Sequence, residues 1–202
     1  MAQELDFFYF IGSLYSYFAV MRAETAAALQ GISLRWRPFN LRAIMVEQDN
    51  VPRRNPVKMR YTLQDVERRA AYHGLPFRAG FPYPIDPDLV ANRVAVIAAH
   101  EGWAEAFSKA LYRGWIADHH TPHDPAVLGA VLKGLGKNPD AILAQANGTA
   151  VKERLDSETA VARELGIFGA PTFVWGDQIF WGDDRLEDAL AWAAAHPLKA
   201  KT

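Results

Sequence analysis

Apolar side chains crowd the start of the chain: Leu5, Phe7, Phe8, Tyr9, Phe10 and Ile11 follow closely until Gly12 interrupts them. So short a run, rich in aromatic and β-branched groups, predicts a buried strand over 5–11. From Leu14 the spacing changes. Leu14, Tyr17, Phe18, Met21 and Leu29 recur at helical intervals, and Gly31 supplies a stop. Between Ser33 and Pro38, Leu34 and Trp36 alternate with Arg35 and Arg37, the period of a half-buried strand. The chain therefore opens β-α-β.

The middle reads almost wholly helical, with four or five helices expected between Pro56 and Asn147. Asp86, Asp124 and Asn138 each precede a proline, the pattern of an N-cap followed by Pro at the first helical position. Trp103, Phe107, Leu111 and Trp115 fall four apart and read as core. The Pro/Gly-rich stretch from Phe77 to Pro87 reads as a loop. A long helix is expected from Ala150 to Leu165. Strands Thr172 to Trp175 and Gln178 to Trp181 follow, with Gly176-Asp177 as a tight hairpin and Asp183 as the cap of a last helix ending near Ala195. This order, β-α-β, helices, then α-β-β-α, matches an α/β thioredoxin-like domain (1–55 and 148–202) interrupted by an all-helical insertion subdomain (56–147).

Composition narrows the chemistry. With 202 residues, 50% of them apolar, the chain has enough material for one well-cored domain with a large insertion. A formal net charge of −1 without blocks of like charge gives no sign of a nucleic-acid surface and points to a small-molecule substrate. Cysteine is absent, which removes disulfides, thiolate metal sites and a cysteine nucleophile. Any thiol the protein uses must be borrowed. The N-terminal MAQELDFF lacks the pattern of a secretory leader and no apolar run reaches the length of a membrane span, so a cytoplasmic protein with no membrane contact is expected.

Two segments carry candidate chemistry. Ser13 and Ser16 stand in an S-x-x-S arrangement where the first strand hands over to a helix, whose unpaired amides and dipole favour an anion. Ser13 also has the position of an ordinary N-cap, and the two roles are compatible. The second segment, "GIFGAPTFVWGDQIFWGDDRL" from Gly166 to Leu186, brings Gly-Ala-Pro-Thr into a strand. A cis Ala170-Pro171 bond would leave the Ala170 backbone open to pair with an extended peptide; a trans proline in a plain loop is the alternative. Asp184-Arg185 opens the last helix near the same face.

These segments, together with "NPVKMRYTLQDVERRAAYHGLP" from Asn55 to Pro76, make the chain resemble the 2-hydroxychromene-2-carboxylate isomerase family, kin of kappa-class glutathione transferases and, more distantly, of DsbA-type oxidoreductases. The resemblance implies a glutathione-dependent isomerase of an unsaturated aromatic acid, of the kind used in aromatic-compound degradation, with glutathione as cofactor and a homodimeric assembly. It implies that Ser13 bonds the glutathione sulfur and holds it as thiolate. The Ala170 backbone before cis-Pro171 would pair with the cysteinyl main chain. Asp184 and Arg185 would meet the γ-glutamyl amine and carboxylate, and Asn55, Lys58 and Tyr15 would face the substrate. The chain departs from the family at Leu14, where proline is usual. Related readings are a kappa-class-like transferase or peroxidase and a redox-inactive thioredoxin-like module that binds peptides.

Other clusters carry weaker signals. The "DHHTPHD" stretch, with His119, His120 and His123, lies between predicted helices and lacks the helical His spacing of common metal sites, so it reads as a solvated or substrate-facing loop and no metal is expected. Arg53, Arg54, Lys58 and Arg60 form the most basic stretch, which reads either as part of a carboxylate-binding entrance or as a solvated loop and helix start. His73 suits a helix C-terminus. Asp65 and Arg68 are spaced to pair on one helix.

Overall fold

The computed structural model describes residues 4–51 and 54–198. Its four-stranded sheet has the order β2-β1-β3-β4, with β1 (Glu4–Tyr9), β2 (Ser33–Pro38), β3 (Thr172–Trp175) and β4 (Gln178–Trp181). β1 runs parallel to β2, pairing Phe7 with Trp36, and antiparallel to β3, pairing Phe7 with Phe173. Helix α1 (Leu14–Leu29) makes the first crossover. The β3–β4 hairpin pairs Trp175 with Gln178 around Gly176, whose φ of 63° the tight turn requires.

β1 is central in the sheet, which explains its apolar run, broken only by Asp6, whose buried carboxylate pairs with Arg35 and Arg37. Leu5, Phe7, Tyr9 and Ile11 point to one face and Phe8 and Phe10 to the other, and both faces are buried. The first face packs against α1, α4 (Val90–Glu101), α5 (Ala104–Ile116) and α9 (Leu186–Ala195). On the second face lie Phe39, Leu41 and Ile44, with Ala162 of α8 (Thr149–Glu164).

The α/β architecture with its helical insertion is the expected one. The insertion holds five of the described helices: α3 (Pro56–His73), α4, α5, α6 (Pro125–Gly134) and α7 (Pro139–Asn147). Its helices share one apolar cluster with the sheet, and Phe107, Leu111 and Trp115 are buried in it. Ser108 also donates to the Tyr9 hydroxyl at 3.0 Å. His73 occupies the last turn of α3 before Gly74 at φ 62°. Asp124 and Asn138 cap α6 and α7 as their Asp-Pro and Asn-Pro pairs predicted.

Three local expectations are corrected. Helix α2 (Leu41–Glu47), capped by the Asn40 side chain, was not foreseen, because its seven residues are too few to show a period. Asp86 does not begin a helix at Pro87, since its φ is 53° and α4 starts at Val90. Its buried carboxylate instead reaches ahead to accept the N–H groups of Ala91 and Asn92, both at 3.1 Å. Asn92 then pairs with both backbone groups of Ile11, accepting the N–H at 2.9 Å and donating to the carbonyl at 2.8 Å. A side chain thus takes over where β1 ends, two residues short of the predicted strand. Asp183 likewise does not cap α9: it opens a 3₁₀ turn, Asp183–Arg185, and its side chain makes no capping bond. No described helix is long and apolar enough to cross a membrane.

Candidate functional site

A cleft of about 990 Å³ lies where β1 ends, between the first turn of α1, the 83–87 loop, α3 and the turn before β3. Ser13 lines it. The hydroxyl accepts the Ser16 N–H at 3.2 Å, capping α1, and donates to the Ala170 carbonyl at 2.8 Å. Across the turn, Ala170-Pro171 is cis. The Ala170 N–H, in a residue only 7% exposed, finds no acceptor among the described residues.

Of the residues singled out from the sequence, Ser13, Tyr15, Lys58, Ala170 and Asp184 line the cleft together. Ser16 does not: it is fully buried, so the S-x-x-S pair presents one hydroxyl and not two. Leu14, in the place of the family's proline, is 4% exposed and packs into the core while touching the cleft. Asn55, Pro171 and Arg185 stand outside the lining. The Asn55 side chain accepts the N–H groups of Val57 and Lys58 as the N-cap of α3. Arg185 is turned to the carboxylates of Asp184, at 2.9 Å, and Asp188, at 2.6 Å. Arg53 lies outside the described residues, whereas Arg54 lines the cleft while pairing with Asp49 at 2.6 Å.

The structure adds residues that sequence reasoning missed. Arg69 of α3 lines the cleft and grips the buried Asp183 through Nε at 2.9 Å and through Nη2. Burial pushes the Asp183 carboxyl up to about 6, against the pull of the Arg69 guanidinium. Asp65 does pair with Arg68, at 3.1 Å, but it also faces the cleft and accepts the Tyr15 hydroxyl at 3.0 Å. Burial, then that carboxylate, raises the Tyr15 phenol, which stays protonated at neutral pH. The available signal was a helical stripe on α3, Lys58, Thr62, Asp65 and Arg69, at steps of three and four.

Trp181 closes one side of the cleft, packed edge-on to Phe168 with ring centroids 4.8 Å apart. A Cβ on Gly169 would lie 2.1 Å from its Nε1, so only glycine admits the indole here. The opposite end is apolar, with Phe10, Leu41, Met45 and Ile85, and it carries Arg42, which donates to the carbonyls of Ile85, Asp86 and Pro87. His123 lines this end, its Nδ1 accepting the Asp86 N–H at 2.9 Å. His119 is bonded to Arg78 instead. Among the described residues no cluster of three or more His, Asp or Glu could hold a metal ion.

The model of the DSBA-like thioredoxin domain family matches residues 4–191. The chain belongs to this family. Within it, this DSBA-like domain is 29% identical over 192 residues to the 2-hydroxychromene-2-carboxylate isomerase of Sphingobium xenophagum, covering 93% of this chain and 96% of that one. It is 26% identical to glutathione S-transferase kappa 2 of Caenorhabditis elegans, over 98% of this chain and 96% of that one. A solved 2-hydroxychromene-2-carboxylate isomerase superposes with a TM-score of 0.84 at 26% identity, covering 95% of each chain. The similarity expected from the sequence is borne out, and these relatives are named as enzymes.

Proposed function

We propose that the protein is a glutathione-dependent isomerase of an unsaturated aromatic acid resembling 2-hydroxychromene-2-carboxylate. The observation that carries this reading is Ser13, set at the start of α1 beside the cis-proline turn in a chain with no thiol of its own. The unpaired Ala170 N–H supports the fit of glutathione, because a nearly buried amide without an acceptor suits a peptide carbonyl.

Bound glutathione would supply a thiolate able to add reversibly to an electron-poor carbon–carbon double bond and leave again once that bond has turned. The protein's own residues provide the rest. Ser13 and the first-turn amides of α1 favour negative charge on sulfur. Ala170 fixes the peptide backbone. Asp184 faces the γ-glutamyl amine, and Arg69, the cation lining that end, takes the carboxylate that the resemblance had assigned to Arg185. The apolar end accommodates an aromatic ring, Arg42 and Lys58 attract its carboxylate, and the protonated Tyr15 faces the space between. Asn55 acts at one remove by setting the start of α3, and so the position of Lys58.

Calorimetric titration with reduced glutathione, paired with absorbance of the thiolate, tests this. Wild type is expected to bind and to show thiolate near neutral pH. Ser13→Ala is expected to bind while losing most of that signal and about 100- to 1,000-fold in isomerisation rate, the range for one lost donor to a developing anion. Free thiol should be conserved during turnover. Its steady consumption would favour a transferase, the reading that the kappa-class relative supports. No binding at millimolar glutathione would sink both.

A further inference from the structure

Ser13 has one hydroxyl proton, and that proton is already engaged. Its Oγ lies 2.8 Å from the Ala170 carbonyl oxygen, an atom that can only accept, so the hydroxyl donates there. One of its two lone pairs takes the Ser16 N–H. Ser13 can therefore donate to a thiolate only when its proton leaves the Ala170 carbonyl. No other donor among the described residues reaches that carbonyl. Leaving that part-buried carbonyl without a donor offsets much of what a hydrogen bond from Ser13 to a charged sulfur contributes. The exchange is near balance until a second donor arrives at Ala170.

We propose that the Ala170 carbonyl holds the Ser13 proton in the free protein and gives it up only to a ligand that brings a backbone N–H of its own, so that Ser13 stabilises the sulfur of a peptide thiol but not of a simple thiol. The inference rests on the glutathione reading above and deepens it. A cysteinyl residue lying antiparallel to residue 170 offers its carbonyl to the Ala170 N–H and its own N–H to the Ala170 carbonyl. The replacement donor and the sulfur thus arrive on one residue. In the exchange the thiol loses its proton to solvent, while the Ser13 proton stays on Oγ and changes only its acceptor. Ala170 acts as a positioning residue through its backbone, which no side-chain substitution removes.

The test alters the ligand. Glutathione is compared with its isostere in which the cysteinyl N–H is replaced by an ester oxygen, each at saturation on wild type and on Ser13→Ala, with thiolate absorbance followed against pH. After correction for the free compounds, the amide thiol on wild type is expected to ionise about one pH unit below the ester thiol. On Ser13→Ala the two should ionise together, because the group that couples amide to sulfur is gone. Equal ionisation on wild type, or a gap that survives in Ser13→Ala, overturns the exchange.

If the ester fails to saturate, dissociation constants answer the same question. The amide-to-ester affinity ratio should widen about tenfold as pH rises through thiol ionisation. It should stay flat for the S-methylated pair, and a ratio flat for both pairs overturns the proposal. Failure of glutathione itself to bind removes the functional reading and this inference together, whereas binding without amide dependence removes only the exchange.

Discussion

Asp183 combines two opposed influences in one carboxyl. At 2% exposure it is denied water, yet Arg69 reaches it through two nitrogens, and burial prevails, with ionisation raised from 3.8 to about 6. The folded protein therefore keeps a proton between pH 4 and 6 that the unfolded chain has released. Stability from this group is full below pH 4 and falls as pH rises through 6. Relative to Asp183→Asn, wild type should lose on the order of 2 kcal/mol between pH 4 and 7, measured as urea midpoints across that range. A difference that stays constant, or grows in favour of wild type, would mean that the Arg69 pair governs. Ser13 and Ala170 were legible at this scale because glycine and proline mark the turns that hold them. The pairing of Arg69 with Asp183 was not, since the partners lie far apart in sequence and neither has a local signature.

Among the elements, the end of β1 is held by a side chain where a neighbouring strand would otherwise serve. Asn92 satisfies both backbone groups of Ile11 and is itself fixed by Asp86, and all of these groups are buried. Asn92→Ala would remove three buried hydrogen bonds, leaving both backbone groups of Ile11 without a partner, and should cost about 2–4 kcal/mol. Asn138→Ala, which removes only an exposed helix cap, should cost about 1 kcal/mol. Chemical denaturation with unchanged slopes would check the ordering, and equal costs would refute the role given to Asn92. The long helices and the hairpin were readable from period and punctuation. The Asp-Pro at Asp86 misled because the carboxylate does cap α4, but across a loop that bends through positive φ. Helix α2 escaped because its form depends on Asn40 and on packing against the sheet more than on its own pattern.

For the whole molecule, the apolar cluster that runs from Phe7 and Phe173 in the sheet to Leu111 and Trp115 in the insertion ties both parts into one body. Thermal unfolding followed by far-ultraviolet and near-ultraviolet circular dichroism should therefore give coincident curves with a single midpoint. Two separated midpoints would show that the helices fold alone. The topology was legible because the order of element types leaves few ways to build the sheet, while the cleft, assembled from residues between Phe10 and Asp184, was legible only in part. The central position of β1 bears on how the chain is born. β1 is made first and its neighbour β3 near the end, so during synthesis a row of aromatic side chains and bare amides waits on the order of ten seconds for its second partner. A nascent chain of this kind keeps apolar surface uncovered until β3 is made, and the wall of the cleft formed by residues 168–170 and 181–184 arrives only then.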